Sequence, residues 1–299
     1  MSALSPSASP SRLDLLAIAM GLAFALMWSS AFTSARIIVS EAPPLLSLSL
    51  RFTLSGILAL GLARAMGQSW RLSLGQWRLT LVFGICQNAL YLGLYFMAMQ
   101  TVPAGVAAIT ASTMPLLVAL LGWAFLGQRP SLQGWAGLAA GLAGVAVILG
   151  HRITGGADLY GLMLCGVGVL ALAVATLAMR GASSGGNLMT VVGMQMLVGA
   201  AALAVAGGLT ETWDVTWTPR LAGALAYTTL VPGVAATFLW FRLVARIGAV
   251  RAATYHFLNP VFGTAIAAAL LAEPLTLWDA AGVAIVAAGI LAVQTARRA

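Results

Sequence analysis

The sequence predicts an all-α integral membrane protein: ten transmembrane helices arranged as two inverted-topology five-helix repeats. Three observations carry that reading. Of 299 residues, 61% are hydrophobic and 7% charged, with a mean hydropathy of +0.98, far from the balance of a soluble domain. Runs of about 20 apolar residues, the length that crosses hydrocarbon, follow one another with short polar breaks. The second half of the chain also repeats the first.

The runs fall near residues 14–34, 43–64, 77–99, 104–126 and 133–150, then 159–179, 188–208, 220–243, 249–271 and 277–295. They are long and do not alternate, so they fit helices, which satisfy their own backbone hydrogen bonds in lipid, rather than barrel strands. Asp14 and Arg36 bracket the first run, as Asp158 and Arg180 bracket the sixth. The second opens at Pro43-Pro44, Pro115 and Pro260 interrupt the fourth and ninth, and the fifth is the Gly-rich GWAGLAAGLAGV. Residues 1–13 are Ser/Pro-rich and expected to be a disordered cytoplasmic N-terminus. The first run behind them is too long, with too weak a basic start, for a cleaved signal peptide. The two halves are then 14–150 and 158–295, joined by a linker at 151–157 and followed by a cytoplasmic C-terminus at 296–299.

All fifteen basic residues are Arg. With ten crossings the two termini share a side, and that side collects eleven arginines, among them Arg64, Arg71, Arg78, Arg242, Arg246 and Arg251. The opposite side has Arg36, Arg152 and Arg220 together with six of the seven acids. By the positive-inside rule both termini are cytoplasmic. The net charge of +8 is therefore an orientation signal, and a nucleic-acid partner is not expected.

Residues 104–149 align with 249–294 at a constant offset of 145: Pro115 meets Pro260, Gly137 meets Gly282 and Gly144 meets Gly289. The beginnings of the halves match at an offset of 144. Five runs is an odd number, so the second half enters the membrane from the opposite face. Two halves of one design can exchange conformations around a shared midplane site, which is the architecture of a secondary transporter.

The chain resembles the drug/metabolite transporter superfamily in its EamA-like branch. The resemblance rests on ALMWSSAF in the first run, PPLLSLSLRF opening the second, and the paired units ending LGQRPSLQGWAGL and LAEPLTLWDAAGV. The second unit keeps the family's Glu-Pro at Glu273 and Pro274, where the first has Gln128 and Arg129. The resemblance implies a ten-helix exporter of metabolites or amino acids in the bacterial inner membrane, most similar to aromatic amino-acid exporters of the YddG type.

Polar side chains facing lipid are costly, so their positions map a candidate cavity. In the ninth run His256, Asn259, Pro260 and Gly263 share a helical face, and Pro260 frees a carbonyl one turn earlier. The matching ITASTMPLLV places Ser112, Thr110 and Thr113 before Pro115. In the third run Gly84, Gln87 or Asn88, Tyr91 and Tyr95 recur every three or four residues, while Trp28 with Ser29, Ser30 and Thr33 supplies an indole and hydroxyls in the first. The expected substrate-binding residues are thus Tyr91, Asn88, Gln87, Tyr95, His256, Asn259, Trp28 and Ser112. Helix packing through small residues, and satisfied interior donors, are the competing readings. Arg51 is the formal charge nearest the centre of a run, about 12 Å along the axis. It either receives a substrate carboxylate or pins helix-end carbonyls; with Pro115 and Pro260 it is read as structural.

No Asp or Glu falls at mid-depth, so acid-mediated proton coupling is disfavoured and facilitated export is the simpler expectation, with a His256 relay open. An enzyme is not expected: isolated Cys86, Cys165, His151 and His256 do not compose a catalytic or metal site, and no cofactor is called for. The expected function is a secondary transporter exporting small metabolites, amino acids first, by alternating access, with a small-molecule substrate and the lipid bilayer as partners. Export of organic cations or drugs, and an ion or solute channel, are the alternatives; the oligomeric state is not decided by sequence.

Overall fold

A computed structural model describes residues 14–128, 130–153, 158–179, 185–271 and 277–295. Over them all the regular secondary structure is helical. Helix α1 spans Leu15–Val39, its first turn capped by the Asp14 carboxylate accepting the Ala17 N–H. Helix α2, Pro44–Ala65, carries proline in its first turn, where no N–H is missed. Helix α3, Leu74–Ala98, opens with a reciprocal capping box between Ser73 and Gln76. Then come α4 (Ala104–Leu126), α5 (Leu132–Ile153), α6 (Leu159–Ala178, capped by Asp158), α7 (Leu188–Thr210) and α8 (Pro219–Ile247, capped by Thr218). The last two are α9 (249–271) and α10 (Leu277–Thr295).

Each expected run coincides with one of these helices to within a few residues. Seven of them, α1 to α4 and α6 to α8, are long and apolar enough to cross a membrane. Leu15, Leu26, Ile57, Val167 and Leu209 are exposed on them, as lipid-facing residues would be. The Glu273-Pro274 signature, Arg129, Arg180, the end of the linker and both chain termini lie outside the described residues.

Two tight helix pairs brace the molecule, α2 against α7 and α5 against α10. The second shows what the Gly-rich fifth run is for. A Cβ on Gly144 would lie 2.7 Å from the Gly282 carbonyl oxygen, and one on Gly137 would lie 2.8 Å from that of Gly289. These are the residues that match at the 145-residue offset, so each helix presents the same glycines to its mate. The small-residue stripe is consumed within the chain.

Four helices deviate from regular geometry. The proline breaks are present: α4 is interrupted at Ser112 and Thr113 just before Met114-Pro115, and α9 tightens into a 3₁₀ turn over Thr254–Leu258 ahead of Pro260. The sequence reading did not foresee two π turns, Gly84–Tyr91 in α3 and Thr229–Ala235 in α8. They start at matching positions, 84 and 229, again 145 apart. Pro232 accounts for the second, because a residue without an N–H cannot continue the regular ladder.

Helix directions follow from a single cavity. The starts of α1, α3 and α7 and the ends of α2, α6 and α8 all surround it, through Leu16, Leu79, Leu188, Met66, Met179 and Arg246. Helix α1 therefore begins at the end where α6 stops, and the two halves run in opposite directions.

Candidate transport pathway

Helical spacing of four lines Phe24, Trp28 and Phe32 along one face of α1, and three other helices bring rings to that face. Trp28 stacks on Tyr91 of α3 with centroids 6.3 Å apart and planes 6° apart. Tyr95 sits one turn further, 4.6 Å from Tyr91 and 6.1 Å from Phe32. From α8, Trp240 stacks on Phe24 at 4.7 Å. His256 of α9 enters edge-on among Phe24, Trp28 and Trp240, at 5.3, 5.9 and 5.2 Å. Such offset and edge contacts are the favourable aromatic geometries. All of these side chains are buried, so Tyr95 belongs to the interior and not to an interfacial belt.

A short polar chain crosses the cluster. Ser29 donates to the Asn259 side-chain oxygen at 3.2 Å, and Asn259 Nδ2 lies 3.1 Å from His256 Nδ1. With its oxygen committed to Ser29, Asn259 presents its amide N–H to His256, which places the imidazole proton on Nε2. That Nε2 has no partner. Neither do Tyr95 Oη, Trp240 Nε1, Gln87 Oε1 and Thr33 Oγ1. The Tyr91 hydroxyl, close to the Trp28 indole, makes no well-formed bond either. Buried polar atoms without partners are costly in a native fold, and these call for a partner that the described residues do not supply.

The 3₁₀ turn and Pro260 explain how α9 delivers His256 and Asn259 together: the turn rotates the backbone so that residues three apart face one point. The π turns do similar work in α3 and α8, and each is held from the second helix of the opposite half. Arg51 Nε of α2 donates to the Thr228 carbonyl at 3.2 Å, and Ser55 donates to the Thr229 carbonyl at 3.1 Å, where α8 leaves its regular ladder. On the other side, Asn88 of the α3 turn donates to the backbone and side-chain oxygens of Gln195 in α7. Gly84 and Gly199 allow that approach, since a Cβ on Gly199 would lie 2.3 Å from that of Asn88.

Five of the eight expected binding residues, Trp28, Tyr91, Tyr95, His256 and Asn259, thus meet in one cluster. Gln87 is buried nearby on the α3 turn with its oxygen unpaired. Asn88 is instead engaged with α7, and the Ser112 hydroxyl turns back to the Ala108 carbonyl at 3.0 Å, a common retreat for a helical serine. Phe24, Phe32 and Trp240 complete the ring cluster without having been foreseen. Trp240 carried a usable signal: it matches Tyr95 at the 145-residue offset. Cys86 and Cys165 are free thiols, Cys165 fully buried against the Tyr95 side of α6.

Between Trp28, Phe32, Tyr91, Tyr95 and Arg51 there is a void of about 10 Å³, room for about one water. At the end where α6 begins, several hydrogen bonds tie the helix ends together. There Arg36 donates to the Met99 carbonyl, Thr101 donates to Asp158 at 2.7 Å, and Thr218 donates to Glu41. Glu211 accepts the Leu45 N–H at 2.9 Å and the Leu46 N–H at 2.9 Å, sealing the start of α2. The opposite, Arg-rich end holds the cavity of about 610 Å³, with Phe241 on its wall next in sequence to Trp240. Arg246 lines it too, bonded to Asp14 at 2.7 and 3.1 Å. A hydrogen-bonded end, a cavity at the other end and a compact aromatic cluster between them make this a candidate pathway.

The sequence profile of the EamA-like transporter family matches residues 15–150 and 159–295, one copy on each half. The chain belongs to that family. It is a multi-pass membrane transporter. Among its relatives are the uncharacterized transporter YvbV of Bacillus subtilis, 27% identical over 94% of this chain and 92% of that protein, and the uncharacterized inner membrane transporter YedA of Escherichia coli, 29% identical over 89% and 88%. Protein PecM of Dickeya dadantii is 26% identical over 73% of each. A crystal structure at 24% identity superposes with a TM-score of 0.73, covering 93% of this chain and 96% of that one, a likeness of fold.

Proposed function

We propose that this transporter exports small metabolites, amino acids foremost, by alternating access of two inverted five-helix halves around the aromatic chamber. All ten helices cross the bacterial inner membrane in this reading, and both termini are cytoplasmic. The observation that supports it best is the set of buried polar atoms without partners, Tyr95 Oη, Trp240 Nε1 and His256 Nε2, carried by α3, α8 and α9 within one cluster of flat rings. Rings offer an apolar body its surface, and a few buried donors and acceptors select its polar groups. The Arg-rich end faces the cytoplasm by the positive-inside rule, so the cavity is inward and the hydrogen-bonded end outward.

Transport is facilitated and not proton-driven in this reading. Of the described carboxylates, Asp14, Glu41, Asp158 and Glu211 serve helix ends, and His256 is held as a neutral donor by Asn259. Counterflow in proteoliposomes with labelled amino acids, an organic cation and a nucleotide sugar, with and without a pH gradient, tests it. Amino-acid counterflow that ignores the gradient is the expected result. Movement of the cation alone, or of nothing without a proton gradient, defeats the reading.

A further inference from the structure

We infer that Arg51 is the anchor for a carboxylate on the substrate, so that the chamber selects solutes joining an anionic group to a flat apolar body. The inference rests on the transport reading above and names its substrate chemistry.

Arg51 is 2% exposed, on the wall of the void beside Tyr91 and Tyr95. Among the described residues no carboxylate pairs with it. Its Nε serves the Thr228 carbonyl and its guanidinium lies 4.7 Å from the Phe52 ring centroid. A carbonyl and the face of one ring ease but do not neutralise a cation taken out of water, and a buried charge lacking a counter-charge is a costly arrangement to keep.

The structural reading of Arg51, as a pin for the α8 turn, is correct as far as it goes but does not require the charge. The second half holds its matching turn without a charge and with the bond reversed, the turn's own amide donating to α7. Gln195, which matches Arg51 at the 144-residue offset, holds the α3 turn through Asn88. Ser55 already supplies the α8 turn with a further neutral donor. What Arg51 adds beyond a hydrogen bond is a positive charge and a planar fork of N–H groups, the geometry that suits a carboxylate. The Tyr95 hydroxyl, on the same wall and without a partner, is placed to donate to the same group. Next to them stand the rings of Trp28 and Tyr91. The void of about 10 Å³ is too small for a carboxylate with its body, so binding requires the halves to part by a rotation of the ring cluster, as expected for an occluded intermediate.

The test compares L-phenylalanine, 3-phenylpropanoate and L-phenylalaninamide, which share the ring and differ in the carboxylate, by counterflow in proteoliposomes and by ligand-induced thermal shift of the purified protein. Both carboxylates should exchange at least tenfold faster than the amide. Arg51→Gln should fold, because Ser55 still holds the α8 turn, and lose that preference. Ser55→Ala, which loosens the same turn and keeps the charge, should retain it. If Arg51→Gln does not fold, Arg51→Lys supplies the same test by keeping the preference for the acids. Equal exchange of amide and acids, or an Arg51→Gln protein that still prefers acids, overturns the carboxylate assignment and leaves the transporter reading intact. No counterflow of any amino acid, cation or nucleotide sugar overturns both.

Discussion

Asp14 and Asp158 stand at matching positions 144 residues apart, each capping the first helix of its half, at opposite ends of the molecule. The residues that face them match as well: Arg246 bonds Asp14, and Thr101, 145 residues earlier in the chain than Arg246, bonds Asp158 at 2.7 Å. One end is strapped by an exposed ion pair beside a large cavity. The other is strapped by a hydroxyl bond reinforced by Glu41 to Thr218 and by Glu211 on the start of α2. The ion pair stands in water and is screened by salt, whereas the hydroxyl- and amide-to-carboxylate bonds at the far end pair no two full charges and are several in number. The repeat thus places matching contacts at the two ends, and in the proposed transport cycle the side chains at these four positions would set which end yields first.

The comparison is broken most severely through the frame that carries both ends. Gly144→Leu and Gly289→Leu each push a side chain into the backbone of the facing helix, 2.7 Å from the Gly282 oxygen or 2.6 Å from the Gly137 oxygen. Because the contacts are symmetric, both substitutions should destabilise by a similar amount, about 3 kcal/mol at the upper end of typical overpacking costs. Thermal unfolding of the detergent-purified variants measures this. Midpoints that fall together support matched packing of α5 on α10. A large fall in only one of them shows that the two glycine contacts are not equivalent.

Much of this frame was legible in the sequence because glycine, proline and hydropathy mark it directly. Gly137 and Gly144 recur as Gly282 and Gly289, and a pair of prolines 145 residues apart located two helix breaks. The chamber was legible where polar residues recur at helical spacing, as for Tyr91 with Tyr95 and His256 with Asn259. It was hidden where the deciding residue is apolar in composition: Phe24 and Trp240 look like ordinary membrane-helix residues, and only the offset to Tyr95 singles Trp240 out. The π turn of α3 had no local cause to read. Its ladder shifts where Asn88 bonds to Gln195, and that contact exists only once α7 is packed. Ser112 shows the opposite failure, a polar residue in the right place whose hydroxyl is consumed by the carbonyl four residues before it.

A smaller effect comes from making the two ends alike. Thr101→Arg sets a guanidinium opposite Asp158, as Arg246 stands opposite Asp14, and should strengthen the strap at the hydrogen-bonded end. The expected outcome is a several-fold slower counterflow with unchanged thermal stability. Hydrogen exchange should slow at the Tyr160 and Gly161 amides, which the Asp158 carboxylate caps. Faster counterflow would mean that closure at this end is not what slows the cycle.

The smallest effect is expected from Asp14→Asn, and it isolates the ion pair. Asn keeps the helix cap, because its oxygen can still accept the Ala17 N–H, so the substitution removes charge and little else. The Arg246 side chain, followed by the Ala17 amide, holds the Asp14 carboxyl below the usual carboxylate range. A group whose pKa is lowered by folding contributes its full share above the ordinary value near 4 and loses it only as pH falls through the lowered value. The pair is therefore intact from about pH 5 upward, and neither stability nor transport should change through it between about pH 6 and 8. Salt is the perturbation that reaches it, since raising ionic strength from about 0.1 M to 1 M shortens the screening length from about 10 Å to 3 Å. Wild-type counterflow should rise with salt as this strap loosens, while the Asp14→Asn protein should start faster and respond less. A wild type and variant with the same salt response would show that the Arg-rich end opens without breaking this pair, and that the charge difference between the two ends has no part in the cycle.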